Sequence, residues 1–212
     1  MGVEAVIFDL GGVVLESPTH FIAEFEARHR LEPGVIARIV GGYTSAEDGP
    51  WHRLERGELA LDAFCEAFDA RLAAEGVGVS SSELMAGVAG FATVRPEMLA
   101  ALRAVRRHEY RTAALSNIWD SGDSLAERLR GLSGEFDLFV ESWRVGMRKP
   151  EPRIYEHTCQ GLGVAPADAI FLDDIGGNLK PARTMGMRTI KVESPEQAIG
   201  ELEELLGFRL RD

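Results

Sequence analysis

The chain has 212 residues, 45% hydrophobic and 27% charged, which suits one globular domain, or a core with a modest insertion, and excludes a disordered or collagen-like chain. Lys and Arg total 23 against 34 Asp and Glu, a net charge of −11 that argues against nucleic acid as a partner, since such binders need a basic face. No apolar run reaches the ~18 residues of a membrane span, the apolar start carries Glu4 and Asp9 unlike a signal peptide, and Cys65 and Cys159 form no disulfide framework, so a cytoplasmic protein with no membrane partner is expected.

Residues 3–8 form the first of a set of short apolar runs rich in branched side chains; 112–115, 136–140, 169–172 and 189–192 follow. Short runs without alternation suit strands buried on both faces of a parallel sheet. Between the first two runs, residues 16–95 read as helix after helix, at 21–29, 35–40, 50–56, 61–74 and 82–88. Gly41-Gly42-Tyr43-Thr44-Ser45 and Gly49-Pro50 mark turns between them. The expected fold class is α/β, a Rossmann-like parallel sheet core (1–15 and 96–212) with a helical cap insertion (16–95). Phe21, Phe25, Phe64 and Phe68 have helical spacing and read as cap core. Tyr43, Trp51, His52 and Arg53 stand near turns and are candidates to line a substrate mouth; the preferred reading makes Trp51 cap core and His52 a solvated helix residue.

Further on, Pro96 opens a helix with Leu99, Leu102 and Val105 on one face. Pro152 opens another that ends near Gly161 and Gly163. Ser194-Pro195-Glu196-Gln197 reads as an N-cap, a Pro at the first helical position and a capping-box Gln, for a helix that stops at Gly207.

Ligands of an open parallel sheet bind beyond the carboxyl ends of its strands. Asp9 and Gly11 follow the first run, and Ser116 and Asn117 the second. Lys149 lies in the loop beyond the third, and Asp173 and Asp174 follow the fourth. Carboxylates gathered at one edge repel each other, and a divalent cation offsets that; an oxygen-only ligand set suits Mg2+. Lys149 is a point charge able to hold a phosphate. Ser116 can hydrogen-bond phosphoryl oxygens, and Asp9 can attack phosphorus to form an aspartyl-phosphate.

These segments, the DLGGV start, LSN at 115–117, MRKPEPRIY at 147–155 and FLDDIGGNLKPA at 171–182, resemble in order the four motifs of the haloacid dehalogenase superfamily. The likeness covers essentially the whole chain. The last segment is also similar to the N-terminal phosphatase domain of soluble epoxide hydrolases. GPW and LGF have counterparts in the phosphatase-like domain fused to some acyl-CoA dehydrogenases. The start and third motif are similar to DLGxV-type sugar-phosphate phosphatases. The resemblance implies a class I helical cap, Mg2+, Asp9 as nucleophile and metal ligand, and the Gly11 carbonyl as a further ligand. It implies that Ser116, Asn117 and Lys149 serve the phosphate and that Asp173 and Asp174 hold the metal. Asn178 matches a residue supporting the last loop in the epoxide hydrolase branch.

One position departs from the pattern. Most phosphatases of the superfamily carry Asp where this chain has Gly11, a general acid–base typically worth about 10²–10⁴-fold. The readings that remain are another acid (Glu47, Asp48 and His52 are candidates), a metal-bound water or a good leaving group; a phosphatase of reduced rate; or a phosphate-ligand-binding domain with vestigial turnover. A 2-haloacid dehalogenase, using Asp9 on carbon without metal, is the rival enzyme, and Asp173-Asp174 speaks against it. The expectation is a Mg-dependent phosphoric monoester hydrolase acting on a small phosphorylated metabolite, as monomer or homodimer.

Overall fold

The Ala-Val-Ile-Phe run has no polar side chain to offer water, and in the computed structural model it forms β1 (Ala5–Phe8), fully buried. The structure describes residues 2–40, 49–90, 92–122 and 129–210. β1 is the middle of a wholly parallel sheet in the order β3-β2-β1-β4-β5, where β2 is Arg111–Ser116, β3 Leu138–Glu141, β4 Ala169–Asp173 and β5 Arg188–Lys191. Every expected run is a strand, its ends moved by a residue or two. The chain winds outward from β1 through β2 to β3, then returns to lay β4 on the other side of β1. That reversal opens a crevice at the carboxyl ends of β1 and β4.

Helices α1 (Pro18–Arg28), α2 (Val35–Val40), α3 (Pro50–Glu55), α4 (Leu61–Ala74) and α5 (Ser81–Gly90) follow β1 before the chain returns to the sheet. Among the described residues, no strand interrupts them. They share an apolar cluster of their own, in which Phe25, Ile36, Leu54, Phe64, Phe68 and Leu84 are buried. Phe64 and Phe68, one helical turn apart, stack at 5.2 Å. Glu26 is buried in this cluster, but its carboxylate accepts from Gly34 N at 2.7 Å and Ile36 N at 2.9 Å. A buried charge is tolerable on those terms because it satisfies donors at the start of α2.

The chain leaves the sheet and comes back to it side by side. Leu15 bridges Gly11 and Val94, Glu16 N donates to Thr93 O, and Arg95 N donates to Val14 O. The Arg95 guanidinium clamps this neck, donating to Gly12 O at 2.7 Å and pairing with Glu16 at 3.1 Å.

α6 (Pro96–Arg107), α7 (Ser142–Val145), α8 (Pro152–Leu162), α9 (Gly176–Thr184) and α10 (Pro195–Leu206) complete the core. Period-two alternation sorts the strands between two layers. Val6, Phe8, Ile170 and Leu172 face α6 and α10; Ala5, Ile7, Ala169 and Phe171 face α8 and α9. The capping box is present: Ser194 Oγ accepts from Gln197 N, and the Gln197 side chain accepts from Ser194 N. Gly163 and Gly207, at φ 68° and 80°, end α8 and α10. Among the described residues no helix is long and apolar enough to cross a membrane.

Candidate active site

Asp9 is the first residue past β1, and its N–H extends the ladder to Leu172 O at 2.9 Å. The strand therefore delivers the carboxylate to the crevice edge, where it is almost fully buried. One oxygen, Oδ1, accepts from Leu10 N at 2.7 Å and contacts Lys149 Nζ at 2.8 Å. The other carries no hydrogen bond from the described residues.

Lys149 Nζ also lies 2.7 Å from Asp173 Oδ2, so one buried ammonium bridges the ends of β1 and β4. Asn117 sets its place. The Asn117 amide donates to Lys149 O at 2.9 Å and accepts from Lys149 N at 2.7 Å. Each end of that side chain therefore holds the lysine backbone. The Asn117 side chain thus positions Lys149, and the residue also lines the cavity. Ser116, at the end of β2, lines the same cavity with a hydroxyl that has no hydrogen bond from the described residues. The loop after it is pinned by Ser142, whose hydroxyl accepts from Ile118 N and donates to Ile118 O.

Asp173 and Asp174 are adjacent but differ in their surroundings. Asp173 is fully buried and fully bonded: it accepts from Ile175 N at 2.7 Å, from Lys149, and from Asn178 Nδ2 at 3.0 and 3.1 Å. Asn178 thus holds the β4 loop, in the supporting place the resemblance implied. Asp174 accepts from Ser17 Oγ at 3.2 Å through Oδ2, while its Oδ1 is buried without a partner. An unsatisfied buried carboxylate oxygen is costly unless something else binds it. Gly12 makes room for it. With φ at 79°, a Cβ there would lie 2.0 Å from Asp174 Oδ2.

Asp9, Asp173 and Asp174 bring oxygens within 4.8 Å of one another. Among the described residues, Lys149 is the cation that pairs with them at close range. Burial pushes the Asp9 carboxyl well above its usual range; Lys149 opposes the rise, and Asp173 and Asp174 add to it. Burial and then Asp173 raise Asp174 as well. Burial alone would lower Lys149, but Asp173 and Asp9 outweigh it and hold the ammonium above its ordinary value. The donor set is hard, all-oxygen and short of positive charge, which fits a divalent cation such as Mg2+.

Gly11 also lines the cavity. A Cβ there would meet Pro18 Cδ at 3.2 Å, so the first residue of α1 crowds the place where the usual acid–base side chain would begin. Of the substitutes considered, Glu47 and Asp48, like Tyr43, lie outside the described residues. His52 is buried in α3, not solvated as expected, and is not among the cavity-lining residues. Trp51, weighed both as packing and as a wall of the substrate mouth, packs and lines the cavity. Cys159 is buried in α8, which pushes its thiol up to about 11.

Residues without a motif complete the wall. Ser17 and Thr19 stand at the start of α1, their hydroxyls 2.7 Å apart. Glu55 of α3 accepts from Trp51 Nε1 at 3.0 Å and pairs with Arg148 at 2.6 Å, both sides buried. Trp119, three residues past Ser116, packs its ring against Trp51 at 5.8 Å. The only sequence signal for the buried pair was Arg148 itself, beside the motif lysine.

The family model of haloacid dehalogenase-like hydrolases matches residues 3–186. The chain is 39% identical over 213 residues to acyl-CoA dehydrogenase family member 10 of Mus musculus, covering 97% of this chain and 19% of that protein. It is 30% identical over 207 residues to Phosphatase MT3486 of Mycobacterium tuberculosis, covering 93% of this chain and 90% of that protein. It spans only 19% to 39% of the longer mouse proteins that it matches. A HAD family enzyme of Bacteroides thetaiotaomicron, solved in complex with magnesium and inorganic phosphate, shares the fold at a TM-score of 0.63 and 22% identity, over 91% of this chain and 96% of that one.

Proposed function

The chain belongs to the haloacid dehalogenase-like hydrolases, and on that premise we propose that it is a magnesium-dependent phosphatase that cleaves a small phosphorylated metabolite through an aspartyl-phosphate at Asp9. One observation carries the reading: a buried carboxylate, tied through one oxygen and open through the other, faces a cavity beside a lysine and a carboxylate oxygen that lacks a partner. The phosphatase relative from Mycobacterium tuberculosis supports the reaction class.

Asp9 Oδ2 attacks phosphorus, a new O–P bond forms, and the bond from phosphorus to the alcohol oxygen breaks. Water then attacks the aspartyl-phosphate, releasing inorganic phosphate and restoring the carboxylate. Lys149 holds Asp9 in line through Oδ1 and places positive charge beside the phosphoryl oxygens. Ser116 donates its hydroxyl to one of them. Asp9, Asp174 and the Gly11 carbonyl would hold Mg2+, with Asp173, which also fixes Lys149, holding it directly or through water, and the ion would supply charge neutralisation for the phosphoryl group. Because position 11 has no side chain, departure of the alcohol is faster the more stable its anion.

The helices α1–α5 serve as the cap over this site. The partner is a small molecule, neither nucleic acid nor membrane, and the setting is the cytoplasm.

The test is hydrolysis of p-nitrophenyl phosphate with magnesium, with EDTA, and in Asp9→Asn. Chelation abolishes turnover, and Asp9→Asn lowers kcat by about 10³-fold or more while the melting transition is kept. A variant as active as the parent overturns the mechanism. Chloride release from 2-chloropropionate that survives EDTA would instead install the dehalogenase.

A further inference from the structure

The cavity at Asp9 has two unlike ends. Its floor is polar, with Asp9, Ser116, Lys149 and Asp174. Its wall is hydrocarbon: Ile22 of α1, Trp51 of α3, Val88 of α5, then Ile118, Trp119 and Leu129 from the sheet side. The polar side chains that share this wall are already committed. Glu55 is held by Trp51 and Arg148, Glu16 by Arg95, Thr19 by Ser17, and Asn117 by Lys149. A sugar placed against this wall would bury hydroxyls against carbon, because the cavity's unpaired polar atoms, Asp174 Oδ1, Asn178 Oδ1 and the Ser116 hydroxyl, belong to the strand ends and the β4 loop. The cavity volume is about 130 Å³. An apolar cavity of about 150 Å³ holds one benzene ring.

We propose that the phosphorylated alcohol this site accepts is a small apolar one, an aryl or short alkyl phosphate, whose hydrocarbon part packs against the wall that Trp51 and Trp119 form together while its phosphoryl group meets Asp9 and Lys149. The inference rests on the phosphatase reading and adds the substrate class. Trp51, Trp119 and Val88 are then specificity-determining residues. The Trp51–Trp119 contact, at 5.8 Å and 63° between planes, makes one wall from an insertion helix and a loop of the core. The hydrocarbon is enclosed only while those two elements stay together.

The experiment compares kcat/KM across n-alkyl phosphates from ethyl to dodecyl, whose leaving groups differ little in acidity, with phenyl phosphate and glucose 6-phosphate beside them. p-Nitrophenyl phosphate reports that the site turns over at all. Expected is a rise of about fourfold per added methylene, the transfer of one CH2 from water, that levels off near hexyl when the cavity is full. Glucose 6-phosphate falls about 100-fold or more below hexyl phosphate. Val88→Thr, close to isosteric, lowers the hexyl-to-ethyl ratio about fivefold, and Trp119→Ala moves the optimum to longer chains. The Val88 variant decides the matter alone should the tryptophan variant not fold. A flat alkyl series, preferred glucose 6-phosphate, or an unchanged ratio in Val88→Thr overturns the substrate class while p-nitrophenyl phosphate turnover leaves the phosphatase standing. No turnover of p-nitrophenyl phosphate overturns the phosphatase reading and this inference with it.

Discussion

At Asp174 a single carboxylate shows how the site is poised between fold and ligand. Its neighbour Asp173 is satisfied on both oxygens, whereas Asp174 keeps one buried oxygen unpaired. Burial raises both Asp9 and Asp174 above the ordinary 3.8. The sign for stability follows. A carboxyl raised in the folded state binds more protons there than in the unfolded chain. Its contribution is present below 3.8 and is lost as pH climbs through the native value. A cation needs the ionised form and reverses that loss. At 100 times its Kd, Mg2+ adds about 2.7 kcal/mol, or roughly 5–10 °C in Tm for a chain of this length. The gain is expected to be largest at pH 8 and to shrink at pH 5, read by calorimetry against an EDTA baseline. Gly12→Ala removes the room for Asp174. The left-handed conformation costs a non-glycine residue about 1–3 kcal/mol, and the Mg2+-induced rise in Tm disappears. The acids of the site were legible because each follows a strand-like run, and strand ends must meet at the crevice. The roles of Asn117 and Gly12 were not legible, since each depends on a contact with a residue far along the chain: Lys149 for one, Asp174 for the other.

Among elements, α3 is the one whose placement the pattern of apolar residues did not reveal. Periodicity sorts a helix's faces but does not say what a buried charge will meet. Glu55 crosses from α3 to the loop that carries Lys149, pairing with Arg148, while Arg56 reaches Glu151 at 3.4 Å. Gly57 then lies against the backbone of α7, where a Cβ would meet Trp143 O at 2.6 Å. Both members of the Glu55–Arg148 pair are buried, so removing one leaves a charge uncompensated. Glu55→Gln is expected to destabilise the protein by about 3–5 kcal/mol in urea titration. Arg148→Met added to it restores most of that loss, because the double variant buries no unpaired charge. If the double variant is no better than the single, the cost lies in packing and the ion pair is incidental. The strands posed no such difficulty. Continuous apolar runs such as Ala-Val-Ile-Phe admit few settings besides the middle of a parallel sheet, and the sheet order adds only the place of β4 beside β1.

In the whole molecule, the sheet and the helical insertion each bury their own apolar residues, and what joins them is narrow. The neck at Leu15 and Val94 is one link, clamped by Arg95. Trp119 is another, a core-loop residue that packs in the insertion's cluster. The Glu55–Arg148 pair, with Arg56–Glu151 and the Gly57–Trp143 contact beside it, is a further link. A helical insertion was legible from residues 16–95, which offer Phe21, Phe25, Phe64 and Phe68 at helical spacing and no strand-like run. Trp119's membership was hidden, since its own neighbours mark it as part of the motif loop. Local opening follows the smaller and less shared set of contacts. Native-state hydrogen exchange is therefore expected to show α1, α4 and α5 opening at a lower free energy than β1 and β4, whose amides exchange only on global unfolding. Trp119→Ala widens that gap, because it weakens a joint and leaves the sheet's own cluster untouched. Equal exchange free energies in both parts would mean that neck, tryptophan and ion pair fuse them into one cooperative unit. The cavity at Asp9, walled by both parts, would then be a fixed chamber and not one that opens when the two separate.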